Sequence, residues 1–249
     1  MSSIKNIENF YFVGIGGIGM SALARYFNLQ GKKVFGYDKT PSEITNTLIH
    51  EGIIIQFKDE VSLIPKLIQK NKNTLIVCTP AIPKNNKILS WLNAKEYSII
   101  KRSELLGEIS KNSICLAVAG THGKTTTSAI LGHLLASCNM PVTAFLGGVT
   151  ENYNSNLIYK GSEIMVVEAD EFDRSFLHLK PTIACITSMD ADHLDIYGTT
   201  SALEKTFIEF SKLVPDSNNL LFKKGLPLEG KTVSATENAD FEARNVRIE

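Results

Sequence analysis

Two short loops in this sequence have the residue types to hold phosphate. The first to consider is Gly120-Thr121-His122-Gly123-Lys124-Thr125-Thr126. It lies between the apolar run SICLAVAG and a helical pattern covering Thr126–Ser137. In a strand-to-helix turn of this kind, backbone N–H groups converge on phosphate oxygens. A lysine there reaches the β- and γ-phosphates, and the following threonine hydroxyl ligates Mg²⁺. The strict pattern would place a glycine five residues before Gly123, where this chain has Val118. The loop is therefore a shortened variant. Its G-K-T core predicts an ATP or GTP site made by Gly120, Thr121, His122, Gly123, Lys124, Thr125 and Thr126.

The other loop is Gly14-Ile15-Gly16-Gly17-Ile18-Gly19, which fits G-x-G-x-x-G between the apolar run FYFVGI and a helix from about Ile18 to Gln30. Such glycines allow a tight turn and close backbone approach to a diphosphate, with the helix N-terminus adding free N–H groups. Asp38 ends the next strand, KVFGYD, where an acidic residue commonly meets a ribose hydroxyl. A diphosphate-containing nucleotide is expected. From this loop alone NAD is the default ligand, and a dehydrogenase stays open. The Gly120–Thr126 loop argues against it, because hydride transfer has no use for a triphosphate cradle.

Acidic groups follow two later strands. Glu168, Asp170, Glu171 and Asp173 come after EIMVV, and Asp190, Asp192, His193 and Asp195 come after TIACIT. Carboxylates and an imidazole beside a nucleoside triphosphate loop are natural Mg²⁺ ligands. One such cluster alone would read as solvated loop charge. Two at successive strand ends point to function. His50, His133 and His178 lack that context, and His133 reads as structural. Trp91 reads as helix packing, and the polar stretch ENYNSN around Tyr153 carries no signal.

These loops need a scaffold of parallel strands. Apolar, β-branched runs alternate with helical patterns, which predicts an α/β chain of two sheets. Further strands are expected at GIIIQF, TLIVCTP and YSIIKR, and a helix opening at Pro41 and running to His50. A second series begins at Ser113, with a helix at Thr199–Leu213 and weaker strands at Leu220–Lys223 and KTVSA. A boundary near residues 105–112 gives domains of 1–107 and 108–249. The 249 residues are 43% hydrophobic, with 26 basic and 26 acidic residues. No basic field invites nucleic acid, and no apolar run approaches the ~18 residues of a membrane span. The four cysteines (Cys78, Cys115, Cys138, Cys185) show no metal-ligand spacing, and three lie in strand-like runs as buried thiols. A reducing, cytoplasmic compartment fits them, and the N-terminus has no export-signal pattern.

In order and spacing, GIGGIGMSALA, GTHGKTTT, EADEFDRSFLHLKP and DADHLDIYG resemble the Mur ligases. The resemblance runs from about Phe10 to the end of the chain. It implies a Rossmann-like N-terminal domain that binds a UDP-sugar, followed by a P-loop-type α/β central domain that binds ATP. The glycine and EADE-D-SFLHL blocks look most like the members that join L-alanine to UDP-N-acetylmuramate. Murein peptide ligases, and a non-catalytic UDP-sugar-binding fragment, stay as alternatives.

Carried over, the resemblance gives Gly14, Gly16, Gly17, Ile18 and Gly19 the UDP diphosphate, puts Asp38 near the uridine, and has Thr79, Ala81 and Ile82 line the same cleft. Lys124 and Thr125 would hold ATP phosphate and Mg²⁺. Glu168 would ligate that ion, and His193 a second one, His193 and Lys124 being the catalytic pair. Ser188 stands where family members usually carry Asn. The family's C-terminal domain has no counterpart before Glu249. The central domain is expected to be incomplete, and the chain alone catalytically inactive.

Overall fold

In a computed structural model, residues 4–71, 73–190, 197, 199–236 and 238–247 are described. The chain forms two compact units, Met1–Leu106 with Gly148–Leu157, and Gly107–Gly147 with Ile158–Glu249.

In the first unit the strands are β1 (Asn9–Val13), β2 (Lys33–Tyr37), β3 (Ile54–Gln56), β4 (Thr74–Cys78) and β5 (Ser98–Lys101). All pair in parallel in the order β3-β2-β1-β4-β5. Every residue of β1 is buried, as expected of a central parallel strand covered on both faces. On one face lies α1 (Ile18–Leu29), whose Phe27 ring stacks on Phe10 with centroids 3.9 Å apart. On the other, Tyr11 and Ile76 pack with Ile88 and Leu92 of α4 (Lys87–Ala94). Trp91 of α4 lies 6.0 Å from Tyr97, as helix packing. The order reverses at β1, with β2 on one side and β4 on the other. Loops leaving the C-terminal ends of such strands meet at a crevice, and here they are the glycine loop and Thr79–Ile82.

The helix expected from Pro41 begins instead at Glu43, as α2 (Glu43–His50). The Ser42 hydroxyl accepts the Thr45 N–H, and the Thr45 hydroxyl accepts the Ser42 N–H. This capping box fixes the start at Ser42 rather than at the proline. A short α3 (Lys66–Lys70) precedes β4, and α5 (Arg102–Ser110) runs across the division after Leu106.

The second sheet runs β13-β12-β11-β10-β6-β9-β7-β8. Its members are β6 (Ile114–Ala119), β7 (Val142–Thr150), β8 (Ser155–Tyr159), β9 (Ile164–Glu168), β10 (Ile183–Ile186), β11 (Leu220–Lys223), β12 (Lys231–Ser234) and β13 (Phe241–Glu242). Strand β6 pairs in parallel with β9 on one side and β10 on the other. Val118 is level with Glu168, and Ala119 with Ile186, so three loops leave one sheet edge together.

Helix α6 (Lys124–Ser137) begins two residues before the Thr126 of the sequence reading. Gly123 at φ +80 is its N-cap. It presents the small residues Ser128, Gly132 and Ala136 inward, and a Cβ on Gly132 would come 2.7 Å from that of Ala144 on β7. Helix α7 (Thr200–Ser211) buries Leu203, Phe207 and Phe210, with Phe176 stacked on Phe210 at 4.7 Å.

Two expectations are corrected. Strands β7 and β8 were not foreseen, and the polar stretch ENYNSN is a turn at 151–154 followed by the start of β8. His133 is exposed on α6. Cys115 is buried and Cys78 and Cys185 are half-buried, while Cys138 is exposed; all are free thiols.

Candidate functional site

The glycine loop leaves β1 with Gly14 at φ +89, a conformation open to glycine and strained for other residues. The Gly14 and Ile15 N–H groups donate to the Tyr37 carbonyl at 2.8 and 3.1 Å, tying the turn to the end of β2. Asp38 follows at once. Its Oδ2 accepts the Gly16 N–H at 2.7 Å, and its Oδ1 accepts the Thr40 N–H at 3.1 Å. The carboxylate thus braces the loop, and each oxygen keeps lone-pair capacity for a further donor. A Cβ on Gly14 would meet Thr79 Cγ2 at 2.8 Å and Ile82 Cδ1 at 3.1 Å. Gly14, Gly16, Asp38, Thr79 and Ile82 therefore cluster. Gly17 and Ala81 are exposed, and Ile18 and Gly19 are half-buried at the start of α1.

Sequence reasoning missed Arg102. A Cβ on Gly19 would lie 2.4 Å from its Nη1, so a guanidinium sits over the N-terminus of α1. No sequence signal marks it, because it stands over eighty residues away as the first residue of α5. Asn156 was missed as well. It is fully buried, donates to Ser21 Oγ at 2.9 Å and to the Ile18 carbonyl, and accepts from the Arg25 guanidinium. Arg25 in turn pairs with Glu51 at 2.9 Å. This network holds the first turn of α1, directly behind the glycine loop.

The phosphate loop is a separate centre. Gly120 has φ +132, and a Cβ there would fall 2.2 Å from Thr187 Oγ1. The loop is propped from the end of β10. Ser188 Oγ accepts the His122 N–H at 2.9 Å and pairs with the Thr121 hydroxyl at 2.8 Å. The Asp190 N–H donates to Thr121 Oγ1 at 3.1 Å. Ser188 thus holds the loop's shape through its hydroxyl. His122 is exposed, with Nε2 3.9 Å from Asp190 Oδ2, and Thr126 is exposed on the first turn of α6.

Lys124 lies over the loop. Its ammonium donates to the carbonyls of Gly120 (2.6 Å) and Thr121 (3.3 Å) and to Glu171 Oε1 (3.0 Å). The Thr125 hydroxyl donates to Glu168 Oε1 at 3.1 Å, while Glu168 Oε2 accepts the Gly147 N–H at 2.9 Å. A hydroxyl and a carboxylate side by side form a hard-oxygen pair suited to Mg²⁺. Among the described residues no set of three His, Cys, Asp or Glu side chains converges as a metal site. Asp192, His193 and Asp195 lie outside the described residues, as does any contact of His193.

The two glutamates of the EADE run differ. Glu168 is half-buried beside Thr125, whereas Glu171 is fully buried against Lys124. The Tyr197 hydroxyl donates to the Glu171 carbonyl. Burial first, and then the Glu171 charge, push that phenol up to about 12. As a whole, this arrangement presents one cation, backbone N–H groups at a helix start and an oxygen pair to any polyphosphate.

Residues 9–113 match the family described as "Mur ligase family, catalytic domain", and residues 118–244 match "Mur ligase middle domain". Similar curated proteins include the UDP-N-acetylmuramate–L-alanine ligases of Flavobacterium psychrophilum (58% identical over 99% of this chain) and Christiangramia forsetii (55% identical over 100%). The chain spans 55% of the length of each. The solved UDP-N-acetylmuramate–alanine ligase of Thermotoga maritima is 28% identical, with a TM-score of 0.80 over 92% of this chain and 53% of its own. A murein peptide ligase from Neisseria meningitides shares the fold at 22% identity, with a TM-score of 0.79 over 91% of this chain and 78% of its own. These matches set aside the nicotinamide dehydrogenase that the glycine loop alone left open. Matched by both descriptions along nearly its whole length, the chain belongs to the Mur ligase family.

Proposed function

We propose that this chain carries the UDP-sugar-binding and ATP-binding units of a UDP-N-acetylmuramate–L-alanine ligase of peptidoglycan precursor synthesis, working in the cytoplasm. The observation that carries the reading is the Lys124, Thr125 and Glu168 arrangement on a shortened phosphate loop, in a chain 58% identical to ligases of that name. The murein peptide ligase alternative is supported by fold alone.

In this reading Gly14, Gly16 and Gly17 shape the turn so that the backbone can approach the UDP diphosphate, which the N–H groups of Ile18 and Gly19 at the start of α1 face, and the Arg102 guanidinium adds a charge that a diphosphate matches well. Asp38 holds the loop closed and offers its remaining lone pairs to the nucleoside. Thr79, Ala81 and Ile82 form the opposite wall. The loop residues 120–126 hold the ATP phosphates.

The reaction joins two groups in two steps. An oxygen of the sugar's lactyl carboxylate attacks the γ-phosphorus, the bond to the β-phosphate oxygen breaks, and ADP leaves. The amine of L-alanine then attacks the resulting acyl phosphate, loses a proton, and displaces inorganic phosphate to leave an amide. The first step gathers negative charge on the transferring phosphoryl, and Lys124 opposes it there. Thr125 and Glu168 would hold Mg²⁺, with His193 for a second ion. When bound, the metal neutralises charge on the phosphate oxygens. No nucleophilic side chain is required, because the substrates supply the attacking atoms.

Titration calorimetry on this chain tests the reading. UDP-N-acetylmuramate binds and NAD does not; the reverse would overturn the assignment of the first unit.

A further inference from the structure

Glu171 has no place in the scheme above. It stands in the acidic run after β9, yet its carboxylate is fully buried and aimed at Lys124 rather than at solvent or at Thr125. A lysine ammonium has three hydrogens. Here they meet three acceptors, the Gly120 carbonyl, the Thr121 carbonyl and Glu171 Oε1. The Lys124 side chain is itself only 14% exposed. A phosphate oxygen that binds Lys124 must therefore displace one of the three, and it arrives beside a buried negative charge.

The backbone that carries Glu171 is held in place. Its carbonyl accepts the Arg174 N–H at 2.9 Å and the Tyr197 hydroxyl. Asp173 and Arg174, at φ 50 and 56, are both left-handed without being glycine. Strain of this kind persists only where the surroundings over-determine it, and it collects at functional sites. The Arg174 guanidinium pairs with Glu209 on α7, and Phe176 packs on Phe207 and Phe210 of the same helix. The turn that carries Glu171 is thereby fastened to α7.

We propose that Glu171 is a positioning residue for the phosphate loop. It fixes the Lys124 ammonium at one point, and its charge opposes the phosphates, so nucleotide affinity is kept below what Lys124 alone would give. This rests on the reading of residues 120–126 as a nucleoside triphosphate site. Glu168 is the contrast, since its oxygens face the Thr125 hydroxyl and the Gly147 N–H, where its charge would serve a metal in the proposed reading.

The test is the affinity of the 249-residue chain for ATP and ADP, measured with Mg²⁺ and again in excess chelator. Glu171→Gln keeps the shape and removes the charge. It tightens binding on the order of 10-fold, as loss of a close like-charge repulsion does, and the gain persists in chelator. In the Lys124→Ala background the gain from Glu171→Gln shrinks without vanishing, because the competition for the ammonium is gone while the direct repulsion of the phosphates is still relieved. Glu171→Met, which fills the space without charge, gives the same comparison if Glu171→Gln melts. A residue that served stability alone would leave affinity unchanged or lower it. Unchanged or weaker binding by folded variants overturns the proposal. So does a loss confined to Mg²⁺, which would make Glu171 a metal ligand. If the unaltered chain binds neither nucleotide, the triphosphate-site reading itself fails. Binding by the unaltered chain without a gain in the variants rejects Glu171's role alone.

Discussion

Nζ of Lys124 lies 3.0 Å from Oε1 of Glu171, a side chain with no solvent exposure. The pair couples the stability of the second unit to the lysine proposed to meet phosphate. Lys124→Ala takes the cation from beside a buried carboxylate, and breaking such a pair from one side costs roughly 3–5 kcal/mol. Urea unfolding of the variant should show that loss along with weakened ATP binding. The Lys124→Ala/Glu171→Gln double variant regains most of the stability and not the binding. A single variant as stable as the unaltered protein would contradict the pairing.

Gly14→Ala strains a backbone at φ +89 and drives a methyl against Thr79 and Ile82. Strain of that kind costs about 1–3 kcal/mol. Affinity for UDP-N-acetylmuramate falls roughly 10-fold, equivalent to about 1.4 kcal/mol, while ATP affinity holds. Calorimetry with both ligands checks this, and equal loss of the two would mean general unfolding instead.

Asn156→Ala removes a fully buried amide that serves Ile18, Ser21 and Arg25. Leaving those partners unmet costs about 1–3 kcal/mol. The loss should appear in denaturant midpoints, with amide exchange quickening in the first turn of α1. Unchanged exchange there would show that the network does not support the glycine loop.

Burial pushes the Cys115 thiol up to about 12, and also raises those of Cys78 and Cys185. The thiolate is the nucleophile, so at pH 8 iodoacetamide labels the exposed Cys138 first and Cys115 last. Because the folded Cys115 value lies above the ordinary 9.0, its contribution to stability is whole below about pH 9 and is lost as pH climbs toward about 12. Mass spectrometry of the timed labelling decides it, and early modification of Cys115 in native protein would refute its burial.

Much of this architecture was legible in the sequence because its signals are local. Gly14–Gly19 and Gly120–Thr126 carry their turn chemistry in adjacent residues, and the buried runs of β1, β4, β6 and β9 read directly as strands. Strand β7 escaped because the glycine pair Gly147-Gly148 interrupts its apolar pattern. Asn156 escaped because a polar side chain in a polar stretch looks solvated; only tertiary packing brings it to Arg25. Glu168 stood out by its place at the end of a strand, whereas Glu171, three residues on, carried no signal of its own in EADE. The turn after β9 sends one toward Thr125 and the other toward Lys124.

The most direct test of the whole account is a two-ligand titration of the 249-residue chain. The account predicts that UDP-N-acetylmuramate and ATP with Mg²⁺ each bind at one site, that Gly14→Ala weakens only the first, and that Thr125→Ala weakens only the second. Binding of NAD in place of the UDP-sugar, or loss of both ligands from either substitution, would contradict it.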